Sequence, residues 1–546
     1  MNENSACLPG PPLNRRHLWL LLLATLLVQG IMFISYPLGA GSNNDNESAQ
    51  KYLISEYAKG NFLVGNVRYN TGYALVMAPF KTLTDHFDRW SERALLLLQI
   101  LASSAVPFLV YDIMRRRFDS RCALLTAMLV LVDPFNLQWA HFQLPGWLLA
   151  LATVSALWLA QLAWSAPRRR ALGLVALAAV LLGVMSFTRF NYAPLIAIYG
   201  LSFFIWPHRP FRQRLALFGL VGAVSGGILG AYILLIHIPS TGTSTLSCTA
   251  GATLVASLPD KNFEMRASNG PHSTRYAQLL TLRPQRNVDF FGDTYPLWRF
   301  PGPWVSEAEK AAFLAQPFGD AQEEIDIIFP AALYWHLGPC AADALLYDVY
   351  AETVARDFLK LALAHKDAVF NMLIQHPDAP PFPLQYVDRP EKLTWLDEGW
   401  LGFRRAESAN YNGHRLWQPG VVAYSALFPT LNLIKLLTPL ALVAAFWRRD
   451  WLLVTAAAML LTGLILIAIA ATIEPRYYAS MAPLFMILIG PFLADLLNRV
   501  RPGACRRVLA SLAGGKPLPG HTLPSCPRAI APNFSNHRGA EVIPRK

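Results

Sequence analysis

Residues 168–187 read RRRALGLVALAAVLLGVMSF: three arginines, then a run without a single charge. A run of about 18 apolar residues is long enough to cross a hydrocarbon core as a helix. Lipid offers no partner to an open backbone N–H or C=O, so the helix is the form such a run must take. The pattern repeats in both directions from this stretch. Spans are read at 18–38, 94–114, 121–132, 146–165, 171–187, 193–206, 215–236, 420–446, 451–472 and 478–498, with the third and sixth short. Bulk composition agrees: AVILMFWYC make up 54% of the chain, charged residues 15%, and mean hydropathy is +0.31. That is too little charge to cover the surface of a water-soluble protein of this size. The expected fold is an all-α polytopic membrane protein of about ten helices with one large extracytoplasmic loop domain.

The arginines orient the spans. Arg15 and Arg16 precede the first. Arg115, Arg116, Arg117 and Arg121 follow the second, Arg168, Arg169 and Arg170 the fourth, and Arg209, Arg212 and Arg214 the sixth. Arg448 and Arg449 follow the eighth, and Arg499, Arg501, Arg506 and Arg507 the tenth. Cations flanking spans mark the cytosolic side, so both termini are expected in the cytosol. The formal charge of +12 is thereby accounted for, and no basic stripe with interleaved aromatics suggests nucleic acid. The chain divides into a cytosolic N-terminus (1–17), an N-terminal membrane module (18–236) with a first external loop (39–93), and a large external loop domain (237–419). A C-terminal membrane module (420–498) and a basic, Pro-rich tail (499–546) follow. The first span lacks a small-residue cleavage site and reads as a retained anchor. Helical stretches are expected at 306–316 and 349–375. Tyr73–Phe80 is apolar but too brief to span, and is expected in the membrane interface. Of the six cysteines, Cys248 and Cys340 fall in the large loop; an oxidising compartment permits them to pair, with two free thiols as the alternative.

Ionisable residues near membrane depth are costly and call for a reason. Four groups stand out, all on the external side: Asp45 with Glu47, Asp133, Arg189, and Glu474 with Arg476. Arg68 and Lys51 are weaker members of the same set. Each has a plain alternative: a solvated loop acid, a helix-terminating Asp-Pro, a snorkelling arginine, a local salt bridge. Together they suit one reaction. Arginine binds phosphate with a planar fork and can stabilise charge on a departing lipid phosphate. A carboxylate can take the proton from an acceptor hydroxyl. Spaced metal-ligand sets are absent among the loop histidines, so no essential metal is expected. A transporter or flippase of a lipid-linked or polar solute would share the ten spans, and an O-antigen polymerase or ligase the large loop and arginines. Transporters commonly show repeated halves, which are not evident here.

At these residues the chain resembles the polytopic GT-C glycosyltransferases, and more narrowly the family of the protein O-mannosyltransferases and the bacterial aminoarabinose transferase. The resemblance rests on NDNESAQKYLISEYAKGNF (44–62), RYNTGYALVMAPF (68–80), VYDIMRRRFDSRCALLTAMLVLVDPF (110–135), TRFNYAPL (188–195) and EPRYYASMAPLFMILIG (474–490). It implies a sugar moved with inversion from a polyprenyl-phosphate donor to a glycan, lipid or protein acceptor outside the cytosol, with no cofactor besides that co-substrate. It maps the catalytic base onto Asp45, with Glu47 as the alternative, and the lipid-phosphate site onto Arg68, Arg189, Glu474 and Arg476. The bacterial inner membrane is the expected location. Relatives often carry a further acid before the fourth span, where this chain has Leu144 in QLPGW; either Asp133 substitutes or that acid is missing. The loop 237–419 resembles no family.

Overall fold

The computed structural model describes residues 14–35, 45–64, 71–133, 145–206, 209–241, 250–258, 263–281, 339–374, 434–470 and 480–500, with 136–137, 140, 243–245, 248 and 337. The expected segment 306–316 and most of span 420–446 lie outside the described residues.

The described residues fold as helices. In the N-terminal part these are α1 (Arg15–Ser35), α2 (Asp45–Ala58), α3 (Gly72–Thr84), α4 (Ser91–Ser103), α5 (Ala105–Arg115), α6 (Ser120–Val132), α7 (Gly146–Ser165), α8 (Arg168–Thr188), α9 (Ala193–Leu201) and α10 (Phe211–Tyr232). The segment 237–419 contributes α11 (Ala250–Ala256), α12 (Pro271–Thr281), α13 (Pro339–Val354) and α14 (Phe358–Ile374). Then come α15 (Thr438–Arg448), α16 (Trp451–Ala470) and α17 (Ala482–Val500). Among the described residues, five stretches are long and apolar enough to cross a membrane: Ala94–Arg115, Gly146–Ser165, Arg168–Thr188, Phe211–Ser240 and Trp451–Ile469. The third and sixth expected spans are shorter apolar helices, Ser120–Val132 and Ala193–Ile205, as is Ala482–Leu497. The chain is a multi-pass, all-helical membrane protein.

Side-chain bonds sort the helix ends onto two rims. On one rim, Asp112 accepts from Arg115, Arg116 and the Trp158 indole. Arg117 reaches Gln161 and Asp450 and lies over the rings of Trp164 and Trp451, about 5 Å away. Arg209 donates to the carbonyls of Ala163, Trp164 and Ala166, closing the end of α7. Arg448 pairs with Asp495. The turns after expected spans two, four, six and eight are thus bonded to one another. Helices pack closely between the rims: a Cβ on Gly490 of α17 would collide with the Thr126 hydroxyl of α6. Ser225 of α10 donates to the Ala179 carbonyl of α8 at 2.7 Å. Small residues and interhelical hydroxyls serve this purpose where no hydrophobic effect drives association.

Within 237–419, α13 presents two carboxylates to two helix N-termini. Asp343 accepts from the Ala252 amide at 3.0 Å. Glu352 accepts from the amides of His272 and Ser273 and from the Ser273 hydroxyl, at 2.9, 2.7 and 2.7 Å. A negative group satisfies the open N–H groups of a first turn and complements its dipole. Burial pushes the Asp343 carboxyl up, against the amides of 250–252. Burial likewise opposes ionisation of Glu352, but the donors from Ser273 and His272 outweigh it and hold this carboxyl below its ordinary range. Leu258, Leu346 and Val349 form the small core, and Cys248 is joined to Cys340 by a disulfide. The expected helical stretch 349–375 is helical in two parts: the chain breaks at 355–357, because Asp357 turns its carboxylate to the Lys360 amide and starts α14 anew.

Candidate functional site

α2, α3, the end of α8 and the head of α17 are joined at the other helix ends. α2 begins at Asp45 and includes Glu47; the backbone of both is helical, and their side chains lie outside the described residues. The buried face of α2, with Leu53, Ile54 and Tyr57, packs with Tyr73, Ala74 and Met77 of α3 and with Leu95 and Trp147. The expected interfacial segment Tyr73–Phe80 is the body of α3, one face in this core and the other exposing Phe80 and Leu83. A polar chain fixes its orientation: the Trp147 indole donates to Tyr73, the Tyr73 hydroxyl to Gln99, and the Gln99 amide to the Ala140 carbonyl at 2.7 Å.

The N-terminus of α3 abuts the end of α8. At Gly72 a Cβ would run into the carbonyl of Phe187, so only glycine allows the approach. Two residues on, Arg189 leaves the helix in extended conformation (φ −156°, ψ 103°), half-buried, before the 3-10 turn Phe190–Tyr192. Phe187 stacks on Tyr232 with centroids 4.9 Å apart, and Phe190 touches the same ring at 6.2 Å. The Tyr232 hydroxyl shares a 2.6 Å hydrogen bond with Thr71. Beyond Tyr232, α10 passes through a π-helical turn, Ile233–His237, and the His237 ring donates to the Thr245 carbonyl at 2.8 Å. Single π-turns inside membrane-crossing helices often mark functional sites. Tyr57 of α2 is also buried here, and burial pushes its phenol up to about 12, with Thr71 opposing.

Tyr192 closes the other side of the Arg189 turn, sharing a hydrogen bond with Ser480 at the head of α17. Ser480 stands four residues after Arg476. Glu474 and Arg476, like Arg68, lie outside the described residues. The structure therefore joins the flanks of three expected site segments: Thr71 after Arg68, the Arg189 turn, and Ser480 after Glu474 and Arg476.

Asp133 occupies a different position. It ends α6, accepts from the Asn136 amide, and pairs with Lys435 at 2.7 Å, both side chains fully enclosed. The Lys435 ammonium also lies 5.9 Å from the centre of the Phe485 ring. The pair ties α6 to the segment leading into α15 and to α17. Sequence reading missed Lys435, although a lone lysine within the apolar run LIKLLTPLAL carries the same signal that singled out the other charges. It also missed Tyr232 and Thr71, whose residue types are unremarkable in sequence. Among the described residues no group of three His, Cys, Asp or Glu side chains converges.

Residues 75–227 match the family model described as dolichyl-phosphate-mannose-protein mannosyltransferase. The match covers the heart of the N-terminal membrane module and bears out the resemblance read there. No curated protein matches the chain. Among solved structures, that of ArnT from Cupriavidus metallidurans bound to undecaprenyl phosphate aligns over 87% of this chain and 76% of that one. Its identity is 13% and its TM-score 0.32, a likeness too slight to argue from.

Proposed function

We propose that this membrane protein is a GT-C glycosyltransferase that moves a sugar from a polyprenyl-phosphate donor to an acceptor hydroxyl outside the cytosol. The observation that carries the reading is the mannosyltransferase match over 75–227, which spans Arg189 and the helices that hold it. The packing supports it: α2, which starts at Asp45, packs on α3, α3 abuts the end of α8 just before Arg189, and Tyr192 of the Arg189 turn bonds Ser480 ahead of α17. In this reading the basic rim faces the cytosol of a bacterium, the disulfide-bearing loop domain faces out, and both termini are cytosolic.

The reaction assigned is a direct displacement. Asp45, or Glu47 beside it, takes the proton from the acceptor hydroxyl, whose oxygen attacks the anomeric carbon. The bond from that carbon to the phosphate oxygen breaks with inversion, and the electron pair leaves on the lipid phosphate. Arg189, Arg68 and Arg476 bind that phosphate and stabilise its growing charge, with Glu474 orienting Arg476. Asp133 is assigned to its ion pair rather than to proton transfer. The sugar-lipid is the co-substrate, and the loop domain receives the glycan, lipid or protein acceptor.

The test is Asp45→Asn, alone and with Glu47→Gln, in full-length protein in native membranes supplied with labelled polyprenyl-phosphate sugar. Unchanged abundance with loss of label transfer is the expected result. Wild-type transfer by the double variant would remove both acids from the mechanism.

A further inference from the structure

We infer that Tyr232 is a positioning residue, the latch that seats the head of α3 against the Arg189 turn and so sets how Arg189 is offered to the donor phosphate. The inference rests on the function proposed above and assigns a residue that reading does not use.

Tyr232 touches both the chain around Arg189 and the head of α3. Its ring stacks on Phe187 and meets Phe190, the residues two before and one after Arg189. Its hydroxyl bonds Thr71, three residues beyond Arg68 and next to Gly72. The contact at Gly72 is backbone against backbone and leaves no room for adjustment. The hydrogen bond, 161 residues long in sequence, therefore pins the head of α3 at that contact, while the Trp147–Tyr73–Gln99 chain holds the body of the helix. Loosening that bond would let the head of α3 shift against the turn that carries Arg189. Both groups of the bond are buried, so losing it removes a hydrogen bond that bulk water does not replace. The π-turn that follows widens α10 where Tyr232 and His237 face the Arg189 turn: Tyr232 and His237 lie at 6.0 Å, and Phe190 meets His237 at 6.2 Å.

The experiment compares Tyr232→Phe, Thr71→Val, their combination and Thr71→Ser in full-length protein in nanodiscs. Two measurements are made: hydrogen exchange of the α2 and α3 amides, and binding of undecaprenyl phosphate as the probe. Tyr232→Phe keeps the stack and loses the bond. It is expected to speed exchange in 72–84 about five- to tenfold and to weaken probe binding by a similar factor, as loss of one buried bond gives. Thr71→Val should match it, the combination should add nothing further, and Thr71→Ser should restore both. Unchanged exchange in Tyr232→Phe overturns the latch, whatever the wild type binds. Faster exchange with unaltered probe binding overturns the positioning role and leaves a fold contact alone. Wild-type protein that fails to bind the probe counts against the proposed donor class, while the exchange result still decides the latch.

Discussion

Replacing Lys435 by methionine leaves the Asp133 carboxylate, fully enclosed, facing a thioether where an ammonium stood 2.7 Å away. At an effective dielectric of about 20, two unit charges at that separation attract by about 6 kcal/mol. Desolvation of the two ions costs several kcal/mol each, so the pair as a whole is close to neutral for stability. Losing one partner is different, because the remaining charge keeps its desolvation cost and has no attraction to offset it. Lys435→Met and Asp133→Leu are each expected to destabilise by about 3–5 kcal/mol. The double variant Asp133→Leu/Lys435→Met should recover most of that loss, giving a coupling energy of similar size. Unfolding of the full-length protein in one fixed detergent, followed by intrinsic tryptophan fluorescence, measures the four corners of the cycle. Additive effects of the two single changes would refute the pairing. Sugar transfer gives a second reading of the same proteins: with Asp133 purely structural, activity returns with the fold. A double variant that is stable yet inactive would restore Asp133 as the second acid.

Gly72→Ala drives a methyl into the Phe187 carbonyl and is expected to cost about 1–3 kcal/mol and most of the activity. Gly222→Ala, whose Cβ meets open space, should be neutral or gain a few tenths of a kcal/mol from helix propensity, and the same unfolding assay compares the two. Cys248→Ser with Cys340→Ser should destabilise the loop domain by about 2–5 kcal/mol and open 250–281 to protease, read by peptide mapping. The Glu352 carboxyl is held below its ordinary range in the fold, so its stabilisation is complete above about pH 4.5. It is lost as pH falls through the lowered folded value. Glu352→Gln should remove this part of the acid sensitivity of the loop domain, seen as a flatter proteolysis profile between about pH 5 and 3; an unchanged profile would rule the linkage out.

What residue order alone determined is the membrane architecture. Apolar runs must match the thickness of a bilayer, and arginines must stay on one face, so both constraints act within some twenty residues and can be read without a fold. Arg189 and Asp133 were likewise legible, because a charge near membrane depth is conspicuous wherever it goes. Tertiary structure decided what those charges do. Asp133 met Lys435 across the bundle, Cys248 met Cys340, and Glu352 found the first turn of α12. Asp357 split one expected helical stretch into two. Thr71 and Tyr232 carry no mark in sequence, since a hydroxyl and a phenol gain meaning only when 161 positions of chain fold them within 2.6 Å. Local rules fix which segments lie in lipid; the pairing of buried polar groups is a property of the packed bundle, where each must find its partner or pay for desolvation.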